Sequence, residues 1–231
     1  MIKLSYPQLP SLLVLMLFLL SFLSSAQTPT YKLESGISAQ HELSEKSTLI
    51  FGLFSRETFN EYATEKINPY TDRLDVSGFY QHSINDKMNV TLGFIHRSNL
   101  PFENNRFTEN RFTQSITYKS GFLLSLSHRL RAEERIFKKQ TDLRLRYQIK
   151  HKGAFKAEEI VENSFYYFLS EEILFNISKT TLAENRASLG LGYMFYNASS
   201  LEVSVSNRYS NLLADKSQST MQLIATYSFY F

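Results

Sequence analysis

The chain has no cysteine among its 231 residues. That excludes a disulfide scaffold, a thiolate metal site, a cysteine nucleophile and a lipid-bearing N-terminal cysteine. It also has no tryptophan, although Phe (19) and Tyr (14) are abundant. Charge of one sign is lacking too. The formal net charge is +3, and loss of Lys3 with a leader would leave about +2, too balanced for a nucleic-acid partner. After Leu23 no long apolar run occurs, so a helical membrane bundle is excluded, because each span needs about 20 apolar residues. The mean hydropathy of −0.25 is polar. A membrane barrel keeps such an average, because its apolar content sits at every second residue.

The apolar run that does occur lies at the start. Lys3, the stretch Leu12–Leu23 and the small residues Ser24-Ser25-Ala26 have the layout of a secretory signal peptide cut before Gln27. The expected organisation is a signal peptide over 1–26 and one domain over 27–231. The run is short for an uncleaved anchor.

From residue 48 the chain alternates with period two. Phe122, Leu124, Leu126, His128 and Leu130 interleave with Ser125, Ser127, Arg129 and Arg131. Leu143, Leu145, Tyr147 and Ile149 interleave with Asp142, Arg144, Arg146, Gln148 and Lys150. Side chains on a strand point alternately to opposite faces, so these are two-faced strands. Similar segments follow Leu74, Val90, Phe112, Leu189 and Leu201, with Ser188, Gly190 and Gly192 opposite the apolar positions. A soluble sandwich would alternate as well. Three features favour a barrel in lipid.

The connections alternate in length. Ser83–Lys87, Lys119–Gly121 and Asn197–Ser199 are tight, whereas 58–72, 99–106, 134–140 and 211–217 are longer, as in bacterial barrels. Lys152–Asn163 breaks this pattern. The last strand places Leu223, Ala225, Tyr227, Phe229 and Phe231 on one face and ends on an aromatic. Leu223, Tyr227, Phe229 and Phe231 have the form of the signal read by the outer-membrane barrel assembly machinery. The polar face, finally, carries long charged side chains that a dry sandwich core would reject. The expected fold is all-β: a single antiparallel transmembrane barrel of about 10–12 strands. About ten are counted from residue 48, and Tyr31–His41 is an optional extra. Both termini in the periplasm would require an even number.

With the C-terminus in the periplasm, Arg56, Arg97, Arg129, Arg131 and Arg208 fall near the ends of outgoing strands. Arg73, Arg111, Arg144, Arg146 and Arg186 fall near the starts of returning ones. All are expected inside the outer half of the barrel with Asp75, Glu133, Asp142, Glu172 and Glu184. The favoured reading is a salt-bridge network filling the lumen, since the guanidinium fork suits such pairing. The alternatives are a positive vestibule drawing anions toward a pore, and contact with lipopolysaccharide phosphates. Tyr166, Tyr167, Tyr193, Tyr196, Tyr227 and Phe229 are assigned to aromatic girdles.

The runs His128-Arg129-Leu130-Arg131-Ala132-Glu133-Glu134-Arg135, Leu143-Arg144-Leu145-Arg146-Tyr147, Ser170-Glu171-Glu172-Ile173 with Asn176, and Glu184-Asn185-Arg186 leading to Leu189-Gly190-Leu191-Gly192-Tyr193 resemble an uncharacterised family of outer-membrane barrels, domain of unknown function 2490. The resemblance covers nearly all of the chain after residue 26. It implies a barrel in the outer membrane and no activity. The 152–163 connection is longer and more acidic than that family leads one to expect.

One local element suggests chemistry. His96-Arg97-Ser98-Asn99 resembles the His-x-Ser-Asn element of outer-membrane lipid A deacylases. That resemblance implies His96 as base for a Ser98 nucleophile, Asn99 beside the oxyanion, and Glu103 or Glu109 as orienting acid. The glycine and asparagine pattern that follows in that family is missing after Asn99, so a passive barrel is carried forward rather than an enzyme. His41, His82, His128 and His151 lack metal-ligand spacing, and neither metal nor cofactor is expected. The expected partners are outer-membrane lipids and lipopolysaccharide, with the assembly machinery during biogenesis.

Overall fold

A computed structural model of the chain describes residues 30–60, 69–120, 126–155, 159–178, 183–212 and 218–231. The signal peptide expected over 1–26, and Phe122 and Leu124, lie outside the described residues. Period-two alternation produces eleven strands: β1 Thr30–Ser44, β2 Ser47–Asn60, β3 Tyr70–Asn85, β4 Met88–Asn99, β5 Phe107–Ser120, β6 Leu126–Ile136, β7 Thr141–Ala154, β8 Ser164–Asn176, β9 Ala183–Met194, β10 Ser200–Ser210 and β11 Gln218–Tyr230. They form one closed barrel in which each strand pairs with its chain neighbours.

The strand count lies within the expected range, but the parity argument fails. Tyr31–His41 is part of a full stave, and its partner across the seam is β11, running parallel from Thr30↔Thr220 to Gln40↔Tyr230. Every other pair is antiparallel. When successive strands alternate in direction, an odd number leaves the first and last pointing the same way. The barrel is therefore not wholly antiparallel. Thr30 lies at the end carrying the long connections, and Tyr230 lies at the end carrying the tight turns.

The strands also run further than the hydropathy alternation suggests. Thr58 and Asp72, expected in a loop, sit in β2 and β3, where the Thr58 hydroxyl donates to Asp72 at 2.9 Å. Arg135 lies in β6, and Lys152 in β7.

The two faces have the opposite polarity to a soluble domain. Buried side chains are mostly polar or charged, among them Asp75, Glu109, Arg111, Glu133, Asp142, Arg144 and Glu172. Apolar side chains point outward on all eleven strands, with Leu53 59% exposed and Ile37 52% exposed. Leu126, Leu145 and Leu191 share this outer face. Ser127, Arg131, Arg146 and Gly190 face inward, as their alternation requires.

The end with the tight turns carries a ladder of rings. Phe165, Tyr193 and Phe195 contact in series at 4.7 and 4.9 Å, Phe195 meets Tyr227 at 6.2 Å, and Phe229 meets Phe231 at 6.1 Å. His41 completes it across the seam, with its ring 5.0 Å from that of Phe231 and its Nδ1 2.9 Å from the Phe231 oxygen. Tyr166 is not part of this girdle. It is 1% exposed and turns inward, its ring occupying the space that a side chain at Gly192 would need.

Candidate functional site

The inner face of the long-connection half is built from charges on β1 to β10, with the neutral Gln222 contributed by β11. Directly opposite residues are already complementary: Asp75 faces Arg97, Glu133 faces Arg144, and Glu172 faces Arg186. Such cross-strand pairs help set register.

Most of the carboxylates take more than one cation, with Glu34 and Asp142 the exceptions. Glu133 accepts from Arg144 at 2.7 Å and from Arg146 at 2.6 Å, with Arg111 and Arg131 at 3.9 Å. Glu172 holds Arg146 at 2.6 Å, Arg129 at 3.4 Å and Arg186 at 3.6 Å. Glu184 holds Arg186 at 2.5 Å and Arg208 at 2.6 Å. Asp75 receives both nitrogens of the Arg97 fork at 2.7 Å, with Arg73 at 3.3 Å.

Shared arginines join these groups into a belt. Arg111 links Glu109 to Glu133, Arg146 links Glu133 to Glu172, and Arg186 links Glu172 to Glu184. Arg73 links Glu34 to Asp75, and the Gln222 amide donates to Glu34 at 2.8 Å across the parallel seam. Bidentate, charge-assisted contacts of this kind are the strong ones.

The ten arginines expected inside the barrel lie on its inner face. Alternation did not single out Arg135, which grips Glu109 at 2.6 Å, or Lys32 and Asp72, although Arg56, which was expected inside, shares Asp72 with Lys32 at 2.7 and 2.5 Å. It also missed Glu34 and Glu109 as network carboxylates. Arg129, expected in the outer half, lies in the first half of β6 opposite Gln148 and so sits near mid-height.

Among the described residues, cations outnumber carboxylates on this inner face. Eleven arginines (56, 73, 97, 111, 129, 131, 135, 144, 146, 186 and 208) and Lys32 face eight acids: Glu34, Asp72, Asp75, Glu109, Glu133, Asp142, Glu172 and Glu184. A cavity of about 610 Å³ opens among them, walled also by Asn99, Asn176 and Ser210. A second cavity of about 210 Å³ lies deeper, against Ser170, Ser188, Ser206 and Gln222.

Below the charges, aromatic rings lie over glycines. Phe54 covers Gly36, Phe79 covers Gly93, Phe168 covers Gly190, and Tyr166 covers Gly192. The absence of a side chain at these positions leaves room for an inward ring on the neighbouring strand. Beneath them Glu202 accepts from Lys152 at 2.6 Å and from the Tyr166 hydroxyl at 2.9 Å. Lys150 lies 4.5 Å over the Phe168 ring. A cavity of about 560 Å³ at this end, reached by Lys87, Lys119 and Glu159, shares no lining residue with the upper two.

The His96 element is not assembled as a catalytic unit. His96 and Ser98 share the outer face, but His96 Nδ1 is 2.8 Å from Asn110 Oδ1. Asn99 faces inward and lines the large cavity. Glu109 is buried in the lumen between Arg111 and Arg135, so it cannot orient His96, which faces outward. Among the described residues no group of three or more His, Asp or Glu is placed to hold a metal ion.

The outer face is not apolar throughout. Near the long-connection end of β8–β11, Asn185 donates to Glu171, and the Ser219 hydroxyl donates to Asn207 at 3.3 Å.

A family model described as "Protein of unknown function (DUF2490)" matches residues 35–219. The chain belongs to that family. No curated protein and no solved structure matches it.

Proposed function

We propose that this protein is an integral β-barrel of the bacterial outer membrane, passive in role, with a charge-paired lumen that carries no current. The observation that carries the reading is the band of outward apolar side chains on every strand around a charged interior. An apolar side chain of leucine or valine size left in water forgoes roughly 1.5–3 kcal/mol, and a closed ring of them is the surface that lipid covers. Open sheet edges cannot lie in lipid, and closure at the β1–β11 seam leaves none.

In this reading the chain is exported by cleavage after Ala26. The tight-turn end with Leu223, Tyr227, Phe229 and Phe231 faces the periplasm, and the assembly machinery reads that strand. The long connections face outward, among lipopolysaccharide. Fractionation checks the location: the protein is expected with the outer membrane, migrating differently on gels before and after heating. Recovery in the soluble periplasmic fraction would overturn it.

Support for a closed lumen comes from the aromatic layer and from the separate linings of the upper and lower cavities. Purified protein in planar bilayers is expected to give no stable conductance steps. Regular anion-selective steps that change with Arg131→Ala would replace this reading with a pore.

A further inference from the structure

We infer that the upper cavity is a binding pocket for a compact, multiply charged oxyanion of the oligophosphate class, entered from the long-connection end. It rests on the outer-membrane reading only for the side from which the ligand arrives.

Two observations carry it. The first is the charge imbalance. Among the described residues, the cations of this layer exceed its carboxylates by about four, an excess that in a narrow, low-dielectric wall focuses a positive potential on the cavity. The acids cannot absorb that excess, because Glu172 and Glu184 are each already shared between arginines.

The second is where the spare donors sit. Arg56, Arg73, Arg146, Arg186 and Arg208 line both the 610 Å³ and the 210 Å³ cavities, so their side chains border the space where the two adjoin. Arg208 Nε is buried there without a hydrogen-bond partner, as is the Asn99 amide nitrogen in the wall of the larger cavity, whereas Arg73 Nε lies 3.3 Å from Asp75. Buried N–H groups of this kind ordinarily find an acceptor.

The chemistry selects the ligand. Guanidinium forks match the oxygens of phosphate bidentately, and forks arriving from β2, β3, β7, β9 and β10 converge on more than one anionic group. A single carboxylate would satisfy one fork. A nucleic-acid strand is too long for the space, and the acyl chains of a phospholipid have no place on this charged face. The inward rings over Gly36, Gly93, Gly190 and Gly192 lie beneath the pocket, so the inferred site retains rather than conducts.

The test uses the full mature chain in neutral detergent and sodium tripolyphosphate, followed by titration calorimetry at low and high salt. Saturable single-site binding is expected, weakened by salt. Arg208→Gln is expected to raise Kd at least about tenfold, the scale of a lost charge-assisted bond. Arg208→Lys keeps the charge and a partner for Glu184, and is expected to raise Kd several-fold through loss of the fork. Lys152→Gln removes the same charge at the opposite end and should leave Kd within about twofold. Absence of saturable heat at low salt overturns the inference, and so does equal weakening by Arg208→Gln and Lys152→Gln. Purified lipopolysaccharide serves as a second ligand. Binding to it that survives Arg208→Gln while tripolyphosphate binding is absent also overturns the pocket. Because binding is read on purified protein, its failure is separate from failure of the cellular location.

Discussion

Replacing Glu133 with alanine is expected to reduce the yield of folded barrel to a small fraction of that of the unaltered chain. The Glu133 side chain is 0% exposed and holds Arg144 at 2.7 Å and Arg146 at 2.6 Å, with Arg111 and Arg131 at 3.9 Å. Removing it leaves four guanidinium groups around a vacated anion. Breaking a buried pair in this way costs about 3–5 kcal/mol, a large share of a typical net folding stability of about 5–15 kcal/mol. Glu133→Gln keeps an acceptor oxygen and is expected to fall between. The matched control is Glu202→Ala, whose partner Lys152 is 40% exposed; its loss also frees the Tyr166 hydroxyl and should cost about 1–3 kcal/mol, less than loss of Glu133. The urea midpoint of heat-modifiable migration measures all three. Equal midpoints for Glu133→Ala and Glu202→Ala would show that the belt does not hold the barrel together.

How far the sequence revealed this belt follows from what alternation can and cannot report. Period two assigns a side chain to a face, so Arg97, Arg111, Arg131, Arg144, Arg146, Arg186 and Arg208 were legible as inward once their apolar neighbours were outward. It does not report where a strand stops. Asp72 and Arg135 were lost because polar strand ends read as loops, and a lumen that accepts charge lets strands continue through such residues. Glu109 was misread for a related reason: its nearness in sequence to His96 suggested a partner, whereas the pleat puts the two on opposite faces.

The inward aromatics were hidden more deeply. Tyr166 and Tyr167 are adjacent aromatics that look alike in sequence, yet one packs over Gly192 inside, and the other meets His151 at 5.5 Å on the outer face. Alternation puts Tyr166 on the face of Glu172 and Tyr167 on the other, but the room for an inward ring comes from the register Tyr166↔Gly192, and register is a long-range property. The outward polar residues Glu171, Asn185, Asn207 and Ser219 gave no sequence signal, because each interrupts a strand whose other outer residues are apolar.

The parallel seam is the feature that sequence parity misjudged, and it yields an all-or-none result. The chain has no cysteine, so any introduced pair reports its own proximity. Leu33 is opposite Leu223 and Ile37 is opposite Tyr227, with all four side chains outward. Paired strands are about 4.8 Å apart, within reach of a disulfide, which needs Cα atoms roughly 4.4–6.8 Å apart. The double variants Leu33→Cys with Leu223→Cys, and Ile37→Cys with Tyr227→Cys, are therefore both expected to cross-link on mild oxidation. Leu33→Cys with Tyr227→Cys places the thiols four residues out of register, about 13 Å apart along the strand, and is expected to stay reduced. An antiparallel seam would allow only one of the two in-register pairs to close, since a register that joins 33 to 223 would carry 37 away from 227. The cross-linked chain retains a faster-migrating form after heating, so one gel reads the outcome. Closure of Leu33–Leu223 alone, or of Leu33–Tyr227, would show that β1 enters from the tight-turn end. It would thereby return Thr30 to the same end of the barrel as Phe231.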